Sequence, residues 1–194
     1  MIKMSKKLDV LMKELKKTNA ETFFHSLRTK KYTCELIYVL NNTGKCSYSQ
    51  SEIDTICKGA MLHDVGKLKV KNAILTKDDI LTDEEKQVIH MHADFSYDIV
   101  KDELQEDEYD IICDICRYHH ERIDGSGYKS MTDLPLYVQI VSICDVFDAL
   151  NSDRIYRKGM SVEKAMALIK EGKCGKFDEE LINGLQIVVD KLLK

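Results

Sequence analysis

Apolar residues recur at three- and four-residue spacing along almost the whole chain, and strand-like alternation is nearly absent, so the pattern predicts an all-α fold. Leu8, Leu11, Met12 and Leu15 form the stripe of a first helix ending near Thr18-Asn19. A second helix, from about Ala20 to Leu40, sets Glu21, His25 and Arg28 on one face. Ser51 or a neighbour caps a third, with Ile53, Ile56, Cys57, Ala60 and Met61 turned inward; it delivers His63 and Asp64 before Gly66 stops it. The Thr82 to Glu85 capping box opens a fourth, which carries His90 and His92. Residues two apart face different ways on a helix, so at most one of these histidines serves a common site. Asp110 to Tyr118 lead into His119-His120-Glu121-Arg122 and a tight turn permitted by Gly125 and Gly127. The apolar helix Val138 to Leu150 follows, and Ser161 caps a last helical segment.

Composition adds bounds rather than detail. One proline and nine glycines leave few breaks, and 194 residues at 44% apolar suffice for one core without requiring two domains. A net charge of -4 argues against an extended nucleic-acid surface, so no DNA or RNA polymer is expected as a partner. Lys6, Lys7, Lys13, Lys16 and Lys17 read as a solvated face beside Asp9 and Glu14, with membrane-surface contact the weaker alternative. No apolar run reaches a membrane span and the lysine-rich start lacks the apolar stretch of a signal peptide, which predicts a cytoplasmic protein. The seven cysteines read as reduced small hydrophobes, Cys113 and Cys116 included. Apolar helix faces beyond the core allow a homodimer, although no patch demands one.

The chemistry lies in the histidines. His63 and Asp64 offer an imidazole and a carboxylate from one point of the backbone, suited to holding one divalent metal or bridging two. His25, His92, His119 and His120 fall where a helical fold can bring them to the same place, and His90 alone of the six is left over. Each by itself is as readily a core or surface histidine; together they point to a polynuclear metal site. Asp145 is expensive to bury among Ile140, Val141, Ile143, Val146 and Phe147 unless paired or metal-bound, which makes it the expected last ligand. Glu21, one turn before His25, reads equally as a further ligand or as half of an exposed pair. Lys67 can reach back over the site to neutralise phosphate, and Arg154 and Arg157, near Tyr156, offer guanidinium forks or are simply solvated.

The order His25, His63-Asp64, His92, His119-His120 and Asp145 resembles the HD superfamily of metal-dependent phosphohydrolases, and specifically its HD-GYP branch. Glu21 with His25, the His63-Asp64-Val65-Gly66-Lys67 run, His119 to Arg122 followed by Asp124 to Tyr128, and Asp145 to Arg157 carry the likeness, which covers about Glu21 to Phe177. Beside the N-terminal helix read over 1–18, the resemblance implies a phosphohydrolase domain over 19–194, the two forming one compact domain, that hydrolyses cyclic di-GMP, a bacterial second messenger, to linear pGpG or GMP. It implies His25, His63, Asp64, His92, His119, His120 and Asp145 as ligands of two or three divalent ions, iron or manganese ahead of zinc or nickel. Asp64 would bridge, and Glu21 would join where three ions are held. The implied nucleophile is a hydroxide shared by the ions. Lys67, Arg154 and Arg157 match phosphate contacts, and Tyr128 matches the aromatic beside the nucleobase. Lys129 replaces the proline of the signature, the loop to Pro135 is short, and Ala93 and Ser96 replace a customary proline and glycine. These changes touch the rim where substrate is read. They leave open another cyclic dinucleotide, a nucleotide, or a non-catalytic binding module that signals through a partner.

Overall fold

The computed structural model describes residues 5–153 and 158–193. Its helices are α1 (Lys6–Thr18), α2 (Ala20–Asn42), α3 (Gln50–Leu62), α4 (Asn72–Leu75), α5 (Asp83–His90), α6 (His92–Val100), α7 (Glu106–Tyr118), α8 (Leu136–Asn151), α9 (Val162–Lys170) and α10 (Glu179–Leu192), with a 3-10 turn over Val65–Lys69. Among the described residues the one β contact is an isolated bridge between Lys173 and Gly175, so the expected all-α class holds.

Local signals place the helix starts. Asn19 both ends α1 and caps α2, its side chain accepting from the Thr22 N–H; Ser49 and Thr82 form reciprocal capping boxes with Glu52 and Glu85. The cap of α3 is thus Ser49 rather than Ser51. What reads in sequence as one helix through His90 and His92 is two, α5 and α6, separated at Met91.

Packing divides the interior into two apolar clusters. The larger unites α2, α3, α8, α9 and α10 around Leu36, Ile56, Ile140, Ile143, Phe147 and Leu185. The smaller places Leu8, Met12 and Leu15 of α1 against Leu62, Val65, Val100, Ile112 and Cys116. Each fully buried leucine or isoleucine contributes about 1.5–3 kcal/mol. Cys113 and Cys116 are buried thiols, as expected, but Cys34 of α2 and Cys57 of α3 are joined as a disulfide across a Cα separation of 5.8 Å. That corrects the reading of all seven cysteines as reduced: an inter-helix juxtaposition of residues 23 apart leaves no mark in the local pattern. Among the described residues, no helix is long and apolar enough to cross a membrane.

Candidate metal centre

Five elements converge on one buried polar pocket that belongs to neither apolar cluster. His25 comes from the second turn of α2, His63 and Asp64 from the end of α3, His92 from the start of α6, His119 and His120 from the end of α7, and Asp145 from the middle of α8. All but the half-buried His120 are buried. Gly66 makes the convergence possible by closeness rather than by stopping a helix. A Cβ there would stand 2.1 Å from the His92 carbonyl oxygen and 2.4 Å from the Ser96 nitrogen. Its N–H donates to Ser96 Oγ at 2.8 Å, which locks the 3-10 turn onto α6.

The histidine tautomers follow from what their Nδ1 atoms do. His63 donates Nδ1–H to the Ala60 carbonyl, His92 to that of Ile89, and His119 to those of Ile115 and Cys116. Each therefore turns a bare Nε2 lone pair into the pocket. His92 Nε2 lies 3.2 Å from His119 Nε2 and 3.1 Å from His120 Nε2. With Nδ1–H already committed, the 3.1 Å approach of His92 Nε2 to Asp64 Oδ1 sets lone pair against lone pair rather than making a hydrogen bond. His63 Nε2 and Asp64 Oδ1 are indeed buried without a hydrogen-bond partner.

Such an arrangement is costly alone and suited to a cation. Nitrogen ligands about 2.1 Å from one ion stand roughly 3.0–3.4 Å from one another, which is the spacing found here. Three groups meet the demands of a metal: His92, His119 and His120; His25, His63 and Asp145; and His63, Asp64 and His119. Asp64 lies between the first two, with Oδ1 toward His92 and His119 and Oδ2 3.5 Å from His63 and 3.7 Å from His25. The donor set of imidazole and carboxylate fits two divalent ions sharing one carboxylate.

Charges in the pocket agree. Burial opposes ionisation of Asp64, but the Lys67 ammonium beside it outweighs this and holds the carboxyl well below its ordinary range; the His25 cation, bonded to Asp145, does the same there. Burial and neighbouring imidazoles push His119 and His120 far down, keeping them neutral. His25 differs. Burial disfavours its cation, yet bonds to Asp145 (2.9 Å) and Asp148 (2.7 Å) raise its pKa to about 9.

Around this centre stand residues that sequence reasoning passed over. Asp148 accepts from His25 Nδ1 and from Arg28 Nε and Nη2 at 2.7, 2.7 and 3.0 Å, fixing the ring that carries His25 Nε2. Its signal was available: a second aspartate one turn beyond Asp145 in the same apolar helix. Buried Arg122 donates to the carbonyls of His119, Glu121 and Cys174 and to Ser142 Oγ, which clamps the His119-His120 corner. Lys67 does reach back, placing Nζ 2.6 Å from Asp64 Oδ2. With Glu21 it lines a groove of about 680 Å³ whose far side includes Ile74, Lys77, Lys86 and Ile89. Glu21 is half-buried and belongs to none of the three ligand groups. Tyr128 lies beside the site, its ring 4.4 Å from that of His120. Arg154, Tyr156 and Arg157 lie outside the described residues.

Comparison with known proteins agrees with this geometry. A cyclic di-GMP phosphodiesterase of Vibrio cholerae is 33% identical over 182 residues, covering 89% of this chain and 37% of its own length. A 3'3'-cGAMP-specific phosphodiesterase 3 of the same organism is 32% identical over 138 residues, covering 70% and 29%. The chain thus spans less than half the length of these relatives. A solved HDG"Y"P protein from Bdellovibrio bacteriovorus shares the fold, with a TM-score of 0.67 at 20% identity over 87% of this chain and 52% of that one. The model of the HD domain matches residues 15–181, and this chain belongs to the HD domain family.

Proposed function

We propose that the chain is a metal-dependent phosphodiesterase of the HD-GYP branch that hydrolyses cyclic di-GMP to linear pGpG or GMP. The observation that carries this reading is the pair of three-ligand groups flanking Asp64, beside a groove of nucleotide size. In this reading His25, His63 and Asp145 would hold one ion and His92, His119 and His120 another, with Asp64 shared between them. Glu21 at the groove mouth would join where a third is held. Iron or manganese suits the set, and the cytoplasm is where it acts.

Divalent ions, when bound, supply a water nucleophile competent at neutral pH and Lewis-acid polarisation of the phosphoryl group. The chain's own residues do the rest. Buried carboxylates held ionised stand ready to accept cations. Lys67, whose Nζ stands between Asp64 and the groove, would offer its ammonium to the non-bridging phosphoryl oxygens, where charge grows in the transition state. Asp148 and Arg122 hold His25 and the His119-His120 corner in place, so little reorganisation accompanies reaction. Tyr128 walls the site against a nucleobase.

A second reading, a phosphodiesterase for 3',3'-cGAMP, is favoured by the cGAMP-specific relatives. Anaerobically loaded protein assayed with both dinucleotides separates the two. Cleavage of cyclic di-GMP that disappears in Asp64→Ala supports the first; faster cleavage of cGAMP selects the second. Unchanged turnover in Asp64→Ala would refute both.

A further inference from the structure

His90 is the histidine that the metal centre does not absorb. It ends α5, is exposed, and its ring lies nearly parallel on Tyr128, with centroids 3.8 Å apart and an interplanar angle of 19°. Tyr128 lies in turn against His120. A run of rings therefore leads from a ligand-type imidazole out to solvent.

The loop that carries the middle ring is not free to swing. Both carboxylate oxygens of buried Glu121 accept backbone N–H groups from the Tyr128 loop, Lys129 at 2.8 Å and Met131 at 3.0 Å. A Cβ on Gly127 would meet the Glu121 Cα at 2.5 Å, so the loop is pressed against the end of α7. The Lys129 ammonium adds an ion pair to Asp94 of α6 at 2.8 and 3.0 Å. His90 is thus stacked on an aromatic whose loop is held from three directions. Its own helix, through Lys86 and Ile89, also forms one side of the groove that opens at Lys67.

We propose that His90 is a nucleobase-stacking residue: its imidazole, braced by Tyr128, lies face to face with one base of the cyclic dinucleotide while the phosphodiester sits at the metal centre. The assignment rests on the phosphodiesterase reading above. Stacking of this kind uses a π face that every base possesses, so guanine and adenine are both accepted at this position. Base identity would then be read elsewhere on the rim.

The test compares metal-loaded wild type, His90→Ala and His90→Phe for KM and kcat on cyclic di-GMP and 3',3'-cGAMP, with metal content measured on each sample. The expected result is a KM raised about tenfold for both dinucleotides in His90→Ala, with kcat and metal content within about twofold. His90→Phe, which keeps a ring but neither titrates nor binds metal, should restore KM to within about threefold of wild type. An unchanged or lowered KM in His90→Ala overturns the proposal, because the ring would then only cover Tyr128. Loss of metal in His90→Ala, or a phenylalanine variant no better than alanine, overturns it too. Wild type that cleaves neither dinucleotide removes the phosphodiesterase reading and this assignment with it.

Discussion

Replacing Asp148 by asparagine keeps the shape of a fully buried side chain and removes its charge, which isolates what that charge does. Asp148 accepts from the His25 imidazole and, through two bonds, from the Arg28 guanidinium. Asparagine retains one oxygen, so it can serve one cation and must present its amide to the other. A hydrogen bond to a charged partner is worth about 1.5–3 kcal/mol, and at least one is lost. Chelator-treated Asp148→Asn should therefore unfold in urea with about 1.5–3 kcal/mol less stability than wild type. The second effect is on metal. His25 offers Nε2 only while Nδ1–H is held, and losing such an outer partner typically costs 10- to 100-fold in affinity. Competition with a chromophoric chelator, run on Mn²⁺-loaded protein, measures this directly. An Asp148→Asn protein matching wild type in both stability and affinity would refute the argument that this carboxylate orients a ligand.

Three other perturbations probe neighbouring parts of the account. Gly66→Ala drives a methyl group into the His92 carbonyl and Ser96, so overpacking of about 1–3 kcal/mol should appear in denaturant unfolding, together with loss of one bound ion; unchanged stability would contradict the close approach. Since the folded pKa of His25 is raised to about 9 from an unfolded value of about 6.5, its cation stabilises the metal-free fold fully below pH 6.5. That contribution fades as pH rises through 9. Metal uptake requires the neutral ring, so calorimetry at pH 7 in buffers of different ionisation enthalpy should register about one proton expelled by His25, and uptake with no proton release would contradict it. Glu121→Ala releases the two loop N–H groups and should raise KM with little change in metal content; an unaltered KM would show that the Tyr128 loop needs no such tie.

Much of the fold was legible because it is written locally. Apolar spacing, the Thr82-Glu85 box and the scarcity of proline and glycine mark helices that the structure contains, most boundaries moving by a residue or two, although α7 starts at Glu106 rather than near Asp110 and the last segment after Ser161 divides into α9 and α10. The break at Met91 escaped because it has neither proline nor glycine; its reason is tertiary, the need to turn His92 inward while His90 stays at the surface. The ligand-type residues could be picked out by chemistry, since histidines and an aspartate in apolar helices need partners. What could not be read was pairing at a distance. Nothing local joins Asp148 to His25 across 123 residues, seats Lys129 on Asp94, or sets Cys34 against Cys57. Gly66 reads as a helix stop until the His92 carbonyl is seen beside it.

Everything proposed for this chain depends on two ions sharing Asp64. The most direct measurement is elemental analysis of anaerobically purified wild type and Asp64→Asn, paired with cyclic di-GMP hydrolysis on the same samples. The account predicts at least two divalent ions per chain with turnover in wild type, and a loss of at least one ion with loss of turnover in Asp64→Asn. A single ion in active wild type, or full metal and full activity in Asp64→Asn, would contradict it.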